Sequence, residues 1–273
     1  MATSVSPPDL YFDGQRIDVL WENDEGAVEW LKTRLGWNVQ RREDWKVDPA
    51  CLEGRMTQLD YGTWVVSYRS EGRLAHHFAD REGPEPNVRL CLRVHDLEAL
   101  HERFSAEGVR VTSIYDGPKA RYFDAWAEPE PFRLTFQEDR SLPEQGVHPS
   151  WIRIGVRNVD EALKWHEAHT GMRLVERNPD GRFAVAALKL NHAEGEDSLW
   201  VLEQLPSGAS TEKANGRVQP VCWIKSRDEF FQYNERLRSA GVETSEVGGF
   251  VERGMVGFHF YDPDGNRFNV SSM

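Results

Sequence analysis

Hydrophobic and polar residues alternate with a period of two through Arg16–Trp21, then shift to helical spacing at Ala27, Val28, Leu31 and Leu35. Gly36 follows as a C-terminal helix cap. Alternation resumes at Trp37–Gln40, and Arg55–Tyr61 with Thr63–Tyr68 form a hairpin about Gly62. The pattern is therefore β-α-β-β-β. It restarts after the polar connection Arg69–Asn87, with a strand at Val88–Val94 and an amphipathic helix at Asp96–Glu107 whose Leu97, Leu100 and Phe104 point inward. Gly108 ends that helix, and short strands follow at Val109–Ser113, Arg121–Asp124 and Phe132–Gln137.

Glu138–Ser150 is polar, holds Pro and Gly, and reads as a linker. Beyond it the first half recurs. Trp151–Val156 is a strand, Val159–His169 a helix and Gly171 its cap, 135 residues after Gly36. Leu199–Glu203 answers Thr63–Ser67 at an offset of 136, which places Trp200 on Trp64. After a second linker, Pro206–Gly216, come a strand at Pro220–Ser226 and a helix at Asp228–Ala240. The chain closes on Gly254–Ser272, where Val256, Phe258 and Phe260 alternate, Asp262-Pro263-Asp264-Gly265-Asn266 supplies the turn, and Phe268 and Val270 resume. Four β-α-β-β-β units in two pairs predict an α+β fold with two domains, residues 10–138 and 150–273.

Composition narrows the class. A chain of 273 residues with 39% hydrophobic and 29% charged residues can bury two cores. It contains no run of about 18 apolar residues, so no membrane span is expected. Met1–Asp9 lacks a basic and an apolar region and reads as a frayed tail, not a signal peptide. Cys51, Cys91 and Cys222 are isolated, which fits a reducing cytoplasm. A net charge of −12 argues against nucleic acid as a partner.

The run Ile154-Gly-Val156-Arg-Asn-Val159-Asp-Glu-Ala162, the helix end Thr170-Gly171-Met172 and the turn Phe260-Tyr-Asp-Pro-Asp-Gly-Asn266 resemble the vicinal oxygen chelate superfamily, which includes glyoxalase I, bleomycin-resistance proteins and extradiol dioxygenases. The resemblance implies that paired units curl into half-open barrels, cups that hold a substrate and often a metal. It places metal ligands at Trp151, Arg16, Arg89 and Val221 on first strands and at Asn269 on a closing strand. Arginine and tryptophan only donate and valine does neither, so no metal or other cofactor is expected. Glu203 is the one carboxylate at a family-like position.

Strand parity instead lines the second cup with Trp151 and Arg153, facing Trp223 and Lys225, and with His259, Tyr261, Arg267 and Asn269 from the last hairpin. In the first cup Arg16 and Asp18 face Arg89, Cys91 and Arg93, with Arg133 or Thr135 on the closing strand. Trp30, Trp64, Trp165 and Trp200 are assigned to the helix-packing faces, and His166 and His169 to the surface. His76–His77 reads as a solvated loop. The expected role is a metal-free small-molecule binder for an aromatic or anionic compound, monomeric or homodimeric. The alternative is an enzyme of the superfamily, of lyase or dioxygenase type, using His259 and Tyr261 as acid and base or a displaced metal site. Cups filled by their own side chains, in a structural module, are a third possibility.

Overall fold

A computed structural model describes residues 9–47, 51–69, 87–191, 195–213, 217–250 and 254–273. His76 and His77 fall outside the described residues. The chain divides into two compact units: Gly14–Arg153 with Asn215–Gln219, here the N-terminal unit, and Met1–Asp13, Ile154–Ala214 and Pro220–Met273, here the C-terminal unit.

The N-terminal unit contains two of the repeats. In the first, β1 (Tyr11–Leu20, from Gly14 onward) leads to α1 (Asp24–Leu35), then β2 (Val39–Val47), β3 (Cys51–Leu59) and β4 (Thr63–Arg69). β1 pairs parallel with β4, and β4, β3 and β2 follow antiparallel. Gly36 caps α1 in the left-handed conformation at φ 72°, as its sequence position predicts. The second repeat runs through β5 (Val88–Val94), α2 (Leu97–Ala106), β6 (Arg110–Val111), β7 (Tyr115–Gly117), β8 (Ala120–Ala127) and β9 (Phe132–Glu138). β5 pairs parallel with β9, and β8 runs antiparallel to β9 with β6 and β7 on its far side. The short strand expected at Val109–Ser113 shrinks to two residues, and β7 is an addition that the Gly117-Pro118-Lys119 turn folds back onto β8. One core joins both repeats: Ile17, Val19, Val65, Leu90, Leu92, Phe123, Leu134 and Phe136 pack under Trp30, Leu31 and Phe104 of the helices.

In the C-terminal unit the third repeat comprises β10 (His148–Val156, from Ile154 onward), α3 (Val159–Thr170), β11 (Arg173–Arg177), β12 (Phe183–Leu190) and β13 (Asp197–Gln204). The fourth comprises β14 (Val218–Trp223, from Pro220 onward), α4 (Arg227–Ser239), β15 (Gly248–Phe250), β16 (Met255–Tyr261) and β17 (Arg267–Ser272). β14 pairs parallel with β17, and β17, β16 and β15 follow antiparallel. β14 stops at Trp223 because Ser226, read as the strand's last residue, is the helix N-cap and accepts from the Glu229 N–H.

The final hairpin is anchored by its turn. Asp262 Oδ1 accepts the backbone N–H groups of Asp264 (2.9 Å) and Asn266 (2.8 Å), and Asn266 Nδ2 donates to Asp262 Oδ2 (2.8 Å) and to the Gly155 carbonyl (3.1 Å). Asp264 in turn accepts from Arg157 Nε at 2.7 Å. The turn thus ties the fourth repeat to the β10–α3 corner of the third. Phe260 stacks on Phe268 (5.2 Å, 4°) and Phe268 on Trp200 (5.8 Å, 19°) to form the core above it.

Two expectations change. His166 is wholly buried, not on the surface, against Phe268 with Asp262 Oδ2 at 3.4 Å. It falls one helical turn from Ala162 and Leu163, on the same inward stripe. Trp64 does not share the helix-packing face of Trp200. It lies directly opposite Arg16, while Ile17 and Val65 form the neighbouring pair that enters the core. At the glycine-to-glycine offset of 135, Trp200 corresponds to Val65, and the one-residue slip to 136 had exchanged the faces.

Candidate functional site

Each sheet packs one face on its helix, and the candidate residues lie on the other. In the C-terminal unit the registers build that face in rows. Val221 is opposite Asn269, and Asn269 opposite His259; beside them Tyr261 is opposite Arg267, and Trp223 and Gly257 flank Ser271. The alternating positions Cys222, Val256, Phe258, Phe260, Phe268 and Val270 take the apolar face. The patch therefore gathers five residues expected from the sequence: Trp223, His259, Tyr261, Arg267 and Asn269. Arg267, Asn269 and His259 are buried at 4%, 8% and 7% exposure, with Trp223 and Tyr261 half-buried beside them. Arg267 donates to Asn269 Oδ1 from Nε (3.3 Å) and Nη2 (3.1 Å), and Asn269 Nδ2 donates to the Pro220 carbonyl. The His259 and Tyr261 rings meet edge to face at 5.5 Å. Gly248 pairs with Gly257, so the rim beside Trp223 and Ser271 carries no side chains.

The other expected residues lie elsewhere. Lys225 sits beyond the end of β14, its ammonium 4.4 Å over the Tyr11 ring, so strand parity does not govern it. Glu203 lies on β13 opposite Phe183. Trp151 and Arg153 belong to the N-terminal unit. Trp151 is half-buried with its indole N–H enclosed, while Arg153 is buried against the tyrosines of β7 and β8.

That contact leads to a cluster of which the sequence placed Arg89, Cys91 and Thr135 but missed Tyr115, Tyr122, Asp124 and Arg153. On β8 and β9, Tyr122 pairs with Gln137 and Asp124 with Thr135, and Cys91 of β5 flanks Thr135, all on the face away from the core. The Tyr115 hydroxyl accepts from Arg89 Nη1 and Arg153 Nη1, both at 3.2 Å, and donates to Asp124 Oδ1 at 3.2 Å. Thr135 Oγ1 donates to the same carboxylate oxygen at 2.6 Å. Tyr115 stacks on Tyr122 (6.0 Å, 24°), and the Arg153 guanidinium lies 4.5 Å over Tyr122. Burial pushes the Tyr115 phenol above its ordinary range, with the Arg153 charge pulling the other way. Gly117 makes room for this packing: a Cβ there would stand 2.7 Å from the Tyr122 ring. The turn residues Gly117-Pro118-Lys119 between Tyr115 and Tyr122 were the available signal.

Two other features carry structure. A trough of about 510 Å³ is lined by Asp116, Lys119, Arg121, Glu138 and Arg140, and its charges are joined as Arg121–Glu138 (2.7 Å) and Arg140–Glu138 (2.8 Å). Cys222 is buried, and burial pushes its thiol up, away from a thiolate nucleophile.

The metal implied by the resemblance is tested by the donors at its expected place. The first-strand and closing-strand positions do meet, as Val221 opposite Asn269. Valine has no lone pair, and the Asn269 carbonyl accepts from a guanidinium, whose charge opposes a divalent cation. Among the described residues no three His, Cys, Asp or Glu side chains gather to hold an ion. These residues do not fit a metal.

The comparisons with known proteins agree with this architecture. The profile of the Glyoxalase/Bleomycin resistance protein/Dioxygenase superfamily matches residues 148–270. Glyoxalase I from Zea mays superimposes with a TM-score of 0.63 at 15% identity, over 96% of this chain and 92% of that one. A putative dioxygenase from Bacillus subtilis subsp. subtilis str. 168 gives 0.61 at 10% identity, over 98% and 86%. Identities this low speak for the fold alone. No curated protein matches the chain in sequence. The superfamily match is thus carried by residues 148–270, and the chain as a whole has the two-domain fold of glyoxalase I. Among the described residues no helix is long and apolar enough to cross a membrane.

Proposed function

We propose that the protein binds a small molecule without a metal, and that the C-terminal unit takes a flat aromatic compound bearing an anionic or carbonyl group. The observation that carries this reading is the burial of Arg267, Asn269 and His259 together on the sheet face turned away from the helices, beside Trp223 and Tyr261. Arg267 and Asn269 are held in place by their mutual hydrogen bonds and the Pro220 carbonyl, and a polar patch is not needed to hold this sheet on its helices. Stacking on an indole contributes about 0.5–1.5 kcal/mol beyond area burial, and a hydrogen bond to a charged group about 1.5–3 kcal/mol. His259 and Tyr261 lie on the same face, where they would act as acid and base should the ligand be a substrate.

The test is a tryptophan-fluorescence screen of planar aromatic acids and quinones on wild type and Trp223→Ala, with chromatography of each hit after incubation. Saturable quenching that weakens in Trp223→Ala, with the compound recovered intact, is expected. Absence of any hit removes the binding reading, and conversion of a hit replaces it with the enzymatic one.

A further inference from the structure

We infer that the N-terminal unit carries a second site, on the face formed by β5, β7, β8 and β9, which takes a small planar carboxylate through Arg89. This is independent of the C-terminal site. The floor is built from buried polar side chains, Asp124 and Thr135 with Arg153, on the face opposite the apolar core. Arg89 stands at the mouth with its side chain a quarter exposed. Among the described residues its side chain has one partner within hydrogen-bonding distance, the neutral Tyr115 oxygen at 3.2 Å.

The Asp124 carboxylate is 3.9 Å from Arg89, and its Oδ1 is already taken by Thr135 and Tyr115. Charge-assisted pairs of guanidinium and carboxylate settle at about 2.7–2.9 Å, so Arg89 and Asp124 attract each other without sharing a direct hydrogen bond. Instead Tyr115 holds the guanidinium at one nitrogen and leaves the rest of its planar fork for an incoming carboxylate, whose two oxygens match that geometry. The half-buried Tyr115 ring, backed by the fully buried Tyr122 ring, offers one flat face to a planar ligand body. Gly117 fits the same design, since its missing side chain lets Tyr122 and Arg153 pack beneath Tyr115.

The experiment uses the full chain and 4-fluorobenzoate, observed by fluorine NMR. It is run in the Trp223→Ala background so that binding at the C-terminal site does not contribute. Saturable binding is expected there, weakened at least about tenfold by Arg89→Gln, as loss of a charged hydrogen bond implies. Arg89→Lys keeps the charge without the fork and should weaken binding as well. It carries the test if Arg89→Gln fails to fold. Inorganic phosphate at equal concentration should leave the fluorobenzoate bound. No saturation below about 10 mM, where binding would be weaker than about 3 kcal/mol, overturns the site. So does unchanged affinity in both Arg89 variants, and displacement by phosphate overturns its assignment to carboxylates.

Discussion

Asp262→Ala should be among the most damaging single changes outside the cores. The Asp262 carboxylate receives two backbone N–H groups and the Asn266 amide at 2.8–2.9 Å, and its residue is 5% exposed. Alanine leaves the Asp264 and Asn266 N–H groups without their acceptor in a buried turn. Each such loss costs about 1–3 kcal/mol. The freed Asn266 amide and the vacated contact with His166 add to this, while the desolvation of the carboxylate, which the wild type bears, is relieved. The net loss is about 3–4 kcal/mol, within the range reserved for broken buried networks. Asp262→Asn retains an acceptor at Oδ1 and should lose only about 1–2 kcal/mol. Urea unfolding followed by far-UV circular dichroism measures both. A loss below about 1 kcal/mol for the alanine variant, or equal losses for both variants, would refute the argument that this turn clamps the third and fourth repeats together.

Gly265→Ala should cost about 1–2 kcal/mol for the left-handed backbone alone, and more because a Cβ at φ 77° would lie 2.7 Å from the Thr211 carbonyl oxygen; thermal melting against Gly181→Ala, where the Cβ meets nothing within 4 Å, separates the two contributions. Glu130 contributes to acid stability. Its burial favours the neutral form, but the Leu20 N–H (2.6 Å), Arg217 (2.6 Å) and Asn23 (3.1 Å) outweigh that and hold its carboxyl below the usual range. A depressed folded pKa stabilises above the unfolded value of about 4.3 and is lost as pH falls through the folded value. Glu130→Gln should therefore lower stability at neutral pH and flatten its fall below about pH 4.3, and parallel wild-type and variant curves across that window would contradict the assignment.

Local chemistry was legible in the chain. The alternation and helical spacing of the four repeats, the capping glycines Gly36 and Gly171, and the Asp262–Asn266 turn each act within a few residues, so their signals survive without the fold. Parity also brought Trp223, His259, Tyr261, Arg267 and Asn269 onto one face, because β16 and β17 are joined by that short turn and their register follows from it. Where the count slipped by one residue, Trp64 moved to the wrong face, since a period of two converts one position into the opposite side of a sheet. Tertiary structure alone decided the rest. His166 is buried because Phe268 and Asp262 of the final hairpin pack against it. Lys225 left the cup face because Ser226 starts a helix, and Arg153 went to Tyr115 and Tyr122, more than 30 residues away. Contacts at such separations depend on which strands pair, and the energy that selects the pairing is shared among whole cores, which no local pattern records.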